Sequence, residues 1–271
     1  MVTECFPRDD RSDTLLELGH VTIIREGVTV LHDISLHLGR NEKIAILGPN
    51  GSGKSTLIKV ITRELYPAST GDEYVFRMWG RETWDVFDLR SRFGIVSHDL
   101  YESFQRDITV METLLSGFFS SIGLFNHHVT AEMRELATKT AGLIGITHLM
   151  DRSMIHLSSG ECRRVLIGRA LVHSPNVLIL DEPTGNLDLQ ALHTLRSHMR
   201  TIARRELAII LVTHQIHDII PEIPRVLLMQ DGRITDDGSK EEILTSEKMK
   251  ALFQVQVNIS QHEGYYYANG Y

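Results

Sequence analysis

The stretch that decides the fold reads Gly48-Pro49-Asn50-Gly51-Ser52-Gly53-Lys54-Ser55-Thr56, and it directly follows the apolar run 44–47. Its glycines allow successive backbone N–H groups to converge on phosphate oxygens without interference from side chains. A helix that begins near Lys54 adds the positive end of its dipole. The match to the pattern G-x-x-x-x-G-K-[ST] therefore predicts a triphosphate-binding loop between a strand and a helix, rather than a plain tight turn.

The residues of this loop have separate expected roles. Lys54 would reach the β- and γ-phosphates, and the Ser55 hydroxyl would bind Mg²⁺. The residues that the motif assigns to nucleotide binding are Asn50, Gly51, Ser52, Gly53, Lys54, Ser55 and Thr56. By itself the motif indicates only a P-loop NTPase.

The composition narrows the class of protein. A chain of 271 residues can bury a full core, as one domain or as a domain with an inserted lobe. The net charge of −7 argues against a nucleic-acid-binding surface, which usually shows a basic face. The two cysteines, Cys5 and Cys162, lie far apart and imply no disulfide framework, which indicates a reducing compartment.

The sequence shows no pattern of a membrane-spanning or secreted chain. Residues 1–10 lack the apolar core of a signal peptide, and no apolar run approaches the roughly 18 residues needed to span a bilayer. We therefore expect a soluble, cytoplasmic chain, and any membrane role would come from a partner subunit.

Strand and helix patterns alternate along the chain. Two strongly apolar runs, 177–180 and 207–212, indicate strands of a parallel sheet that is buried on both faces. Short β-type runs with turn signals cover 15–38, and a mainly helical pattern covers 107–172. The sequence thus predicts an α/β fold. It shows no internal repeat, so a second copy of the domain is not expected.

The first of these apolar strands ends in Asp181-Glu182. Side chains at the carboxyl end of a central parallel strand face the crevice where ligands bind. We expect Asp181 to hold Mg²⁺ and Glu182 to polarise the attacking water. The alternative is an acidic pair that merely starts the loop before Pro183, and the phosphate-binding loop upstream disfavours it.

The second apolar strand ends in Thr213-His214, and His214 lies 32 residues beyond Glu182. A histidine at this position can donate a hydrogen bond to the γ-phosphate and sense its loss. A lone histidine at a strand end is more often structural. The surrounding motifs, and not the residue alone, favour a catalytic role.

The most discriminating motif is Leu157-Ser158-Ser159-Gly160-Glu161, which begins 24 residues before Asp181. Small residues followed by an amphipathic helix make a second backbone anion site at a helix N-terminus. In its order and spacing the motif resembles the ATP-binding cassette (ABC) family of ATPases, together with the loop 48–56, the pair Asp181-Glu182, Asp188 and His214. The resemblance extends from about residue 15 to the C-terminus.

This resemblance implies a fold. It is a P-loop NTPase (RecA-like) core with an N-terminal antiparallel β subdomain and an inserted α-helical subdomain. The ATPase domain would cover residues 15–260, with the helical subdomain at about 98–172. Residues 261–271 would form a C-terminal tail that can fold as a short hairpin.

The resemblance also implies a composite site. Leu157–Glu161 looks like the signature sequence of the family, which completes the nucleotide site of a second subunit. Asp188 looks like part of the loop that connects the two sites. The residues expected to contact nucleotide in this way are Ser158, Gly160, Glu161 and Asp188. The simplest assembly is a head-to-tail homodimer that holds two ATP molecules, with Mg²⁺ as the second cofactor.

His98 departs from the family pattern, which usually has a glutamine at this place. Glutamine offers Mg²⁺ a hard carbonyl oxygen, whereas an imidazole nitrogen suits that ion less well. One hypothesis adds His98 to Glu182 and His214 as a catalytic residue, in contact with the water or the γ-phosphate. Turnover would then depend on pH near about 6 to 7. The other hypothesis has Asp99 supply the oxygen while His98 merely packs.

Arg25 is a second departure, since the family often stacks an aromatic ring on adenine at this place. A guanidinium plane can stack on a base through a cation–π contact of about 1 kcal/mol. A solvated strand residue is the other interpretation. Both stay open at the level of sequence.

The apolar run Ile108–Phe125 would usually form the core of a helical lobe. In transport members of the family, the resemblance places the groove for a membrane subunit here, so a permease would dock near His98 and Ile108–Phe125. Phe118 or Phe119 would be the anchors. No nucleic acid is expected as a partner.

Two classes of function remain at this point. The first is the ATPase subunit of a transporter at the inner face of the cell membrane, importing a metal chelate or an oxyanion. The C-terminal part 226–267 looks similar to ATPases of iron-siderophore, cobalamin and molybdate uptake. The second is a soluble cassette ATPase with a regulatory or repair role. Only 58 residues separate His98 from Leu157, too few for the coiled-coil insertion of repair-type members, which favours transport.

Overall fold

The structure is a computed structural model that describes residues 13–67, 74–185 and 187–270, and of His98 only the backbone. Residues 1–12, with Cys5, lie outside this part, as do 68–73, Asn186 and Tyr271. The strands are β1 (Thr14–Arg25), β2 (Val28–Gly39), β3 (Lys43–Leu47), β4 (Val75–Met78), β5 (Phe93–Val96), β6 (Val177–Asp181), β7 (Ala208–Thr213), β8 (Arg225–Gln230), β9 (Arg233–Ser239), β10 (Asn258–His262) and β11 (Tyr265–Asn269). The α-helices are α1 (Lys54–Ile61), α2 (Val86–Ser91), α3 (His98–Ser103), α4 (Val110–Ser116), α5 (Ala131–Leu143), α6 (Ser159–Leu171), α7 (Leu189–Ala203), α8 (Lys240–Ile243) and α9 (Ser246–Phe253).

The described strands form a large mixed sheet, an antiparallel sheet and a hairpin. The large sheet has the order β5-β6-β7-β3-β8-β9, and its neighbours are parallel except for the β8–β9 pair at the edge. The antiparallel sheet has the order β2-β1-β4. The predicted α/β fold, with an N-terminal antiparallel β subdomain and an inserted helical part, is confirmed.

Two separate cores cover the faces of the large sheet, because successive residues of a strand face opposite sides. Ala45 and Leu47 pack in the core shared with the helices that follow β5. Ile44 and Ile46 pack in the core shared with the antiparallel sheet. All four side chains are fully buried. This double burial explains why the central strands are continuous apolar runs instead of alternating ones.

Helices α3 to α6 occupy the chain between β5 and β6, where the sequence predicts a helical subdomain. Each of the last three begins at a capping side chain: Thr109, Thr130 and Ser158 accept a hydrogen bond from a backbone N–H of the first turn. In the part of the chain that the structure describes, no helix is long and apolar enough to cross a bilayer.

The C-terminal part consists of two short helices and a hairpin. Helices α8 and α9 are separate, because the Thr245 hydroxyl accepts from the Lys248 N–H and starts a new helix. Strands β10 and β11 pair as a hairpin, and Tyr266 of this hairpin is buried in the core on the helical side. The hairpin begins at Asn258, three residues before the predicted tail at 261.

The contact between β5 and α6 yields a test of the packing. An ideal Cβ at Gly94 would lie 2.2 Å from the carbonyl oxygen of Ala170, a backbone atom of α6 that cannot move aside alone. Gly94→Ala should therefore lower the free energy of unfolding by about 1–3 kcal/mol, measured by urea denaturation.

Gly142→Ala in α5 is the matched control. A Cβ there has its nearest neighbour at 4.0 Å, so stability should be kept or raised by up to about 1 kcal/mol through helix propensity. A Gly94→Ala variant as stable as the unmodified protein would contradict this account of the packing.

Candidate nucleotide site

The phosphate-binding loop lies between the end of β3 and the first turn of α1. Gly51 and Gly53 have φ values of +80° and +99°, in the left-handed region that favours glycine. An added Cβ at Gly48 would lie 2.1 Å from the carbonyl oxygen of Met229, so the loop also passes directly over β8. The Lys54 ammonium donates to the carbonyls of Gly48 and Pro49, at 2.8 and 2.9 Å. The loop therefore curls around its own lysine.

Asp181 ends β6 and meets the loop through Ser55. The Ser55 Oγ donates to Asp181 Oδ2 at 3.4 Å. Burial raises the pKa of Asp181, and the negative charge of Glu182 raises it further, while the Ser55 bond and the Lys54 charge act in the opposite direction. A hydroxyl and a carboxylate side by side are hard oxygen ligands, which fit Mg²⁺.

Glu182 follows Asp181 in an unusual backbone conformation, with a φ of +49°. Its N–H donates to the carbonyl of Val212 at 2.9 Å. Its Oε1 lies 2.8 Å from Nδ1 of His214, and about a third of each side chain is exposed. The structure therefore brings together two of the predicted catalytic residues. The hydrogen bond from His214 to a γ-phosphate stays a prediction.

The loop that carries His214 is held by a residue that the sequence reasoning missed. The Thr213 hydroxyl donates to Asp218 Oδ2 at 2.6 Å, and the N–H of Gln215 donates back to the same hydroxyl at 2.9 Å. Asp218 is only 1% exposed. In the sequence, the available indication was the position of Asp218, five residues after the end of β7. A buried carboxylate needs a hydrogen-bond donor, which the Thr213 hydroxyl provides.

Lys54 carries the balancing positive charge of the site. Burial lowers the pKa of its ammonium, and the charges of Glu182 and Asp181 partly restore that pKa. One cation and two carboxylates thus share a partly buried volume. Charged groups in such surroundings interact more strongly than on an open surface.

The signature motif forms the N-terminus of α6. The Ser158 hydroxyl and the Glu161 carboxylate make a capping box, in which each side chain bonds the backbone N–H of the other residue. Asp188 caps α7 by accepting from the N–H of Ala191 at 2.8 Å. A cavity of about 250 Å³ is lined by all four predicted contact residues: Ser158, Gly160, Glu161 and Asp188. Gly160 has no space for a side chain, because a Cβ would lie 2.7 Å from that of Ala191.

Arg163, one turn into α6, is a second residue that the sequence reasoning missed. Its guanidinium donates to the carbonyls of Glu182 and Gly185, at 3.1 and 2.9 Å. The sequence did contain an indication of this role. Arg163 lies three residues after Gly160 and three before Leu166, so all three fall on one side of the helix, and that side is buried. The next residue, Arg164, instead bonds the carbonyl of Gly145 in the helical part.

The two departures from the family pattern lie on different elements. His98 is the first residue of α3, whose start is capped by Ser97. Its neighbour Asp99 is exposed, and the charge of Asp99 adds a small contribution to the raised pKa of Asp181, after burial and Glu182. Arg25 is exposed at the end of β1, where it pairs with Val28. The structure leaves both hypotheses for each residue open.

Cys162, at the start of α6, has no features of a redox site. Burial raises the pKa of its thiol to about 11. Reactive cysteines depend on the thiolate form, which is scarce at such a pKa. Its neighbour is the side-chain amide of Gln105, at 3.7 Å.

Proteins of similar length have sequences related to this chain over most of their length. The uncharacterized ABC transporter ATP-binding protein YlmA of Bacillus subtilis is 32% identical over 247 residues, which cover 90% of this chain and 93% of that protein. The hemin import ATP-binding protein HmuV of Hahella chejuensis is 30% identical over 253 residues, which cover 89% of this chain and 93% of that protein.

Solved structures share the fold. The ADP conformation of MJ1267, an ATP-binding cassette of an ABC transporter, matches with a TM-score of 0.76 at 26% identity. The match covers 90% of this chain and 99% of the MJ1267 chain. The cbiO1 protein of Clostridium perfringens, part of the ABC transporter complex cbiONQ, matches with a TM-score of 0.75 at 27% identity. The match covers 89% of this chain and 94% of the cbiO1 chain. The sequence family described as ABC transporter matches residues 31–185. The chain therefore belongs to the ABC transporter family, as an ATP-hydrolysing, ATP-binding subunit.

Proposed function

We propose that this chain couples ATP hydrolysis at Glu182 to import through a separate membrane subunit. The observation that carries the site assignment is the 2.8 Å contact between Glu182 and His214, beside the contact of Ser55 with Asp181. Glu182 is the base that polarises the attacking water, and His214 orients its carboxylate. Lys54 and the loop amides hold the phosphates.

Mg²⁺ would be held by Ser55 and Asp181, and it would neutralise phosphate charge when bound. The pair fits that ion because both residues contribute oxygen atoms and these atoms lie 3.4 Å apart. His98 adds a contact to the water or the γ-phosphate, and Arg25 stacks on the base. These last two roles are supported only by the position of each residue in the sequence.

The working unit in this proposal is a head-to-tail homodimer. The signature cavity supports it, because Ser158, Gly160, Glu161 and Asp188 line it, and two exposed apolar side chains lie close to these residues in the sequence. Leu189, directly after Asp188, is 87% exposed, and Ile155, shortly before the signature, is 47% exposed. A second copy of the chain seated on this face would cover both side chains.

The membrane subunit would dock on the helical part near His98 and Ile108–Phe125. A cavity of about 220 Å³ between β5 and the helices supports this place, and its lining includes Ser97, Leu100, Gly117, Ser120 and Arg169. Phe118 packs against the core, and Phe119 stacks on His127 with centroids 4.2 Å apart. The exposed aromatic of this segment is Phe125, at 78%. Phe125 is therefore a better anchor than the two predicted ones.

The substrate class is supported by the relatives alone. The HmuV proteins are named for hemin import, and hemin is an iron chelate. This favours a metal chelate over an oxyanion for the present chain. The ATPase would then lie at the cytoplasmic face of the cell membrane, held there by its permease.

Glu182→Gln tests the assignment of the base. The amide keeps the shape of the side chain but cannot take up a proton, so turnover should fall by about 100-fold or more. ATP binding should persist, and size-exclusion chromatography with ATP and Mg²⁺ should show a stable dimer. Glu132→Gln, an exposed glutamate of α5, is the control that should keep normal turnover. A Glu182→Gln variant with the normal hydrolysis rate would refute the role.

Phe125→Asp tests the docking surface. Loss of an interface anchor worth about 2 kcal/mol should reduce membrane-bound protein by about tenfold or more in the native cell, while ATP turnover of the isolated chain stays normal. Val255→Asp, at another exposed apolar side chain, should change neither quantity. A native protein that remained entirely in the soluble fraction would instead support a cassette ATPase without a membrane partner.

A further inference from the structure

Arg163 connects the signature helix to the catalytic loop of its own chain. Its side chain is buried, with 8% of the residue exposed. Nη1 donates to the carbonyl of Glu182 at 3.1 Å, and Nη2 donates to the carbonyl of Gly185 at 2.9 Å. The planar guanidinium thus spans the four-residue loop segment 182–185 with two hydrogen bonds, an arrangement that a lysine could not reproduce.

The backbone of Glu182 needs such support. A non-glycine residue in the left-handed region costs about 1 kcal/mol or more, and it persists only where surrounding contacts hold it. Glu182 is held on both sides: its N–H bonds Val212 of β7, and its carbonyl bonds Arg163 of α6. Between these two anchors the side chain points to His214, at 2.8 Å.

The surroundings of Arg163 add to the strength of this link. The ring of Tyr101, in α3, lies under the guanidinium with its centroid 5.2 Å from Cζ. No carboxylate is within ion-pair distance of Arg163 in the described part of the chain, and its Nε is buried without a hydrogen-bond partner. The two loop carbonyls are therefore its principal polar contacts, and a buried cation holds such contacts firmly.

We infer that Arg163 is a positioning residue that holds the loop 182–185 so that the Glu182 carboxylate meets His214. This inference rests on the proposed role of Glu182 as the base. Arg163 lies five residues after Ser158, on the same rigid helix. Any movement of α6 would thereby be transmitted to the base of the same chain.

Arg163→Met tests the inference by two independent measurements. Hydrogen exchange of the peptide 182–188 in nucleotide-free protein should accelerate about tenfold or more, because two charge-assisted hydrogen bonds are lost. ATP turnover should show a kcat lowered about tenfold or more, with a KM for ATP within about twofold of normal, since the phosphate-binding loop is untouched. Arg163→Lys, with one bond restored, should give intermediate values of both.

Arg134→Met is the matched control, because Arg134 is an exposed arginine of the same helical part. It should change neither measurement. If Arg163→Met does not fold, Arg163→Gln replaces it; its shorter side chain keeps an amide donor, so both measurements should change in the same directions as for Arg163→Met, by smaller factors. Unchanged exchange of 182–188 would overturn the positioning role, and so would accelerated exchange with normal kcat. The exchange result does not require hydrolysis, so it separates this failure from a failure of the proposed base.

Discussion

The parallel pairing of β3, β7 and β6 is the constraint on which the rest of the molecule depends. Leu47 pairs with Thr213, and Asp181 pairs with Val212, so three strands end at one edge of the sheet. The phosphate-binding loop, the acidic pair and His214 each follow one of these ends. A slip of one residue would turn the buried side chains to the other face and displace the site together with them. Backbone hydrogen bonds therefore set both the core and the catalytic geometry.

The site contains contacts that are unfavourable for stability alone. Burial lowers the pKa of Lys54 and raises that of Asp181, so both charged forms are disfavoured by their surroundings. Glu182 adds a left-handed backbone. Such features persist because neighbouring contacts hold them, and they concentrate at functional sites. Here the supporting contacts come from Val212, and from Arg163 of the signature helix.

Helix α6 links the parts of the molecule that the proposed cycle would use. Its N-terminus lines the signature cavity, and Arg163 in its second turn holds the loop after β6. Farther along, Arg169 bonds the Ser116 hydroxyl and the carbonyl of Ser121, in the segment proposed to meet the permease. A small rigid shift of this helix would therefore displace the signature cavity, the loop after β6 and the segment 116–121 together, because close-packed interiors transmit displacement.

The sequence by itself determined the α/β class, the phosphate-binding loop and the acidic pair. These are local patterns, in which glycine spacing and apolar runs dictate backbone conformation and burial. Tertiary structure decided the contact of Glu182 with His214 and the hydrogen bonds of Arg163 to the loop 182–185. Each of these contacts joins residues of different elements. Tertiary structure also exposed Phe125 and not Phe118, and it separated α8 from α9 at Thr245. The physical reason is that distances between side chains of separate elements follow from sheet register and helix packing, which no short stretch of sequence encodes.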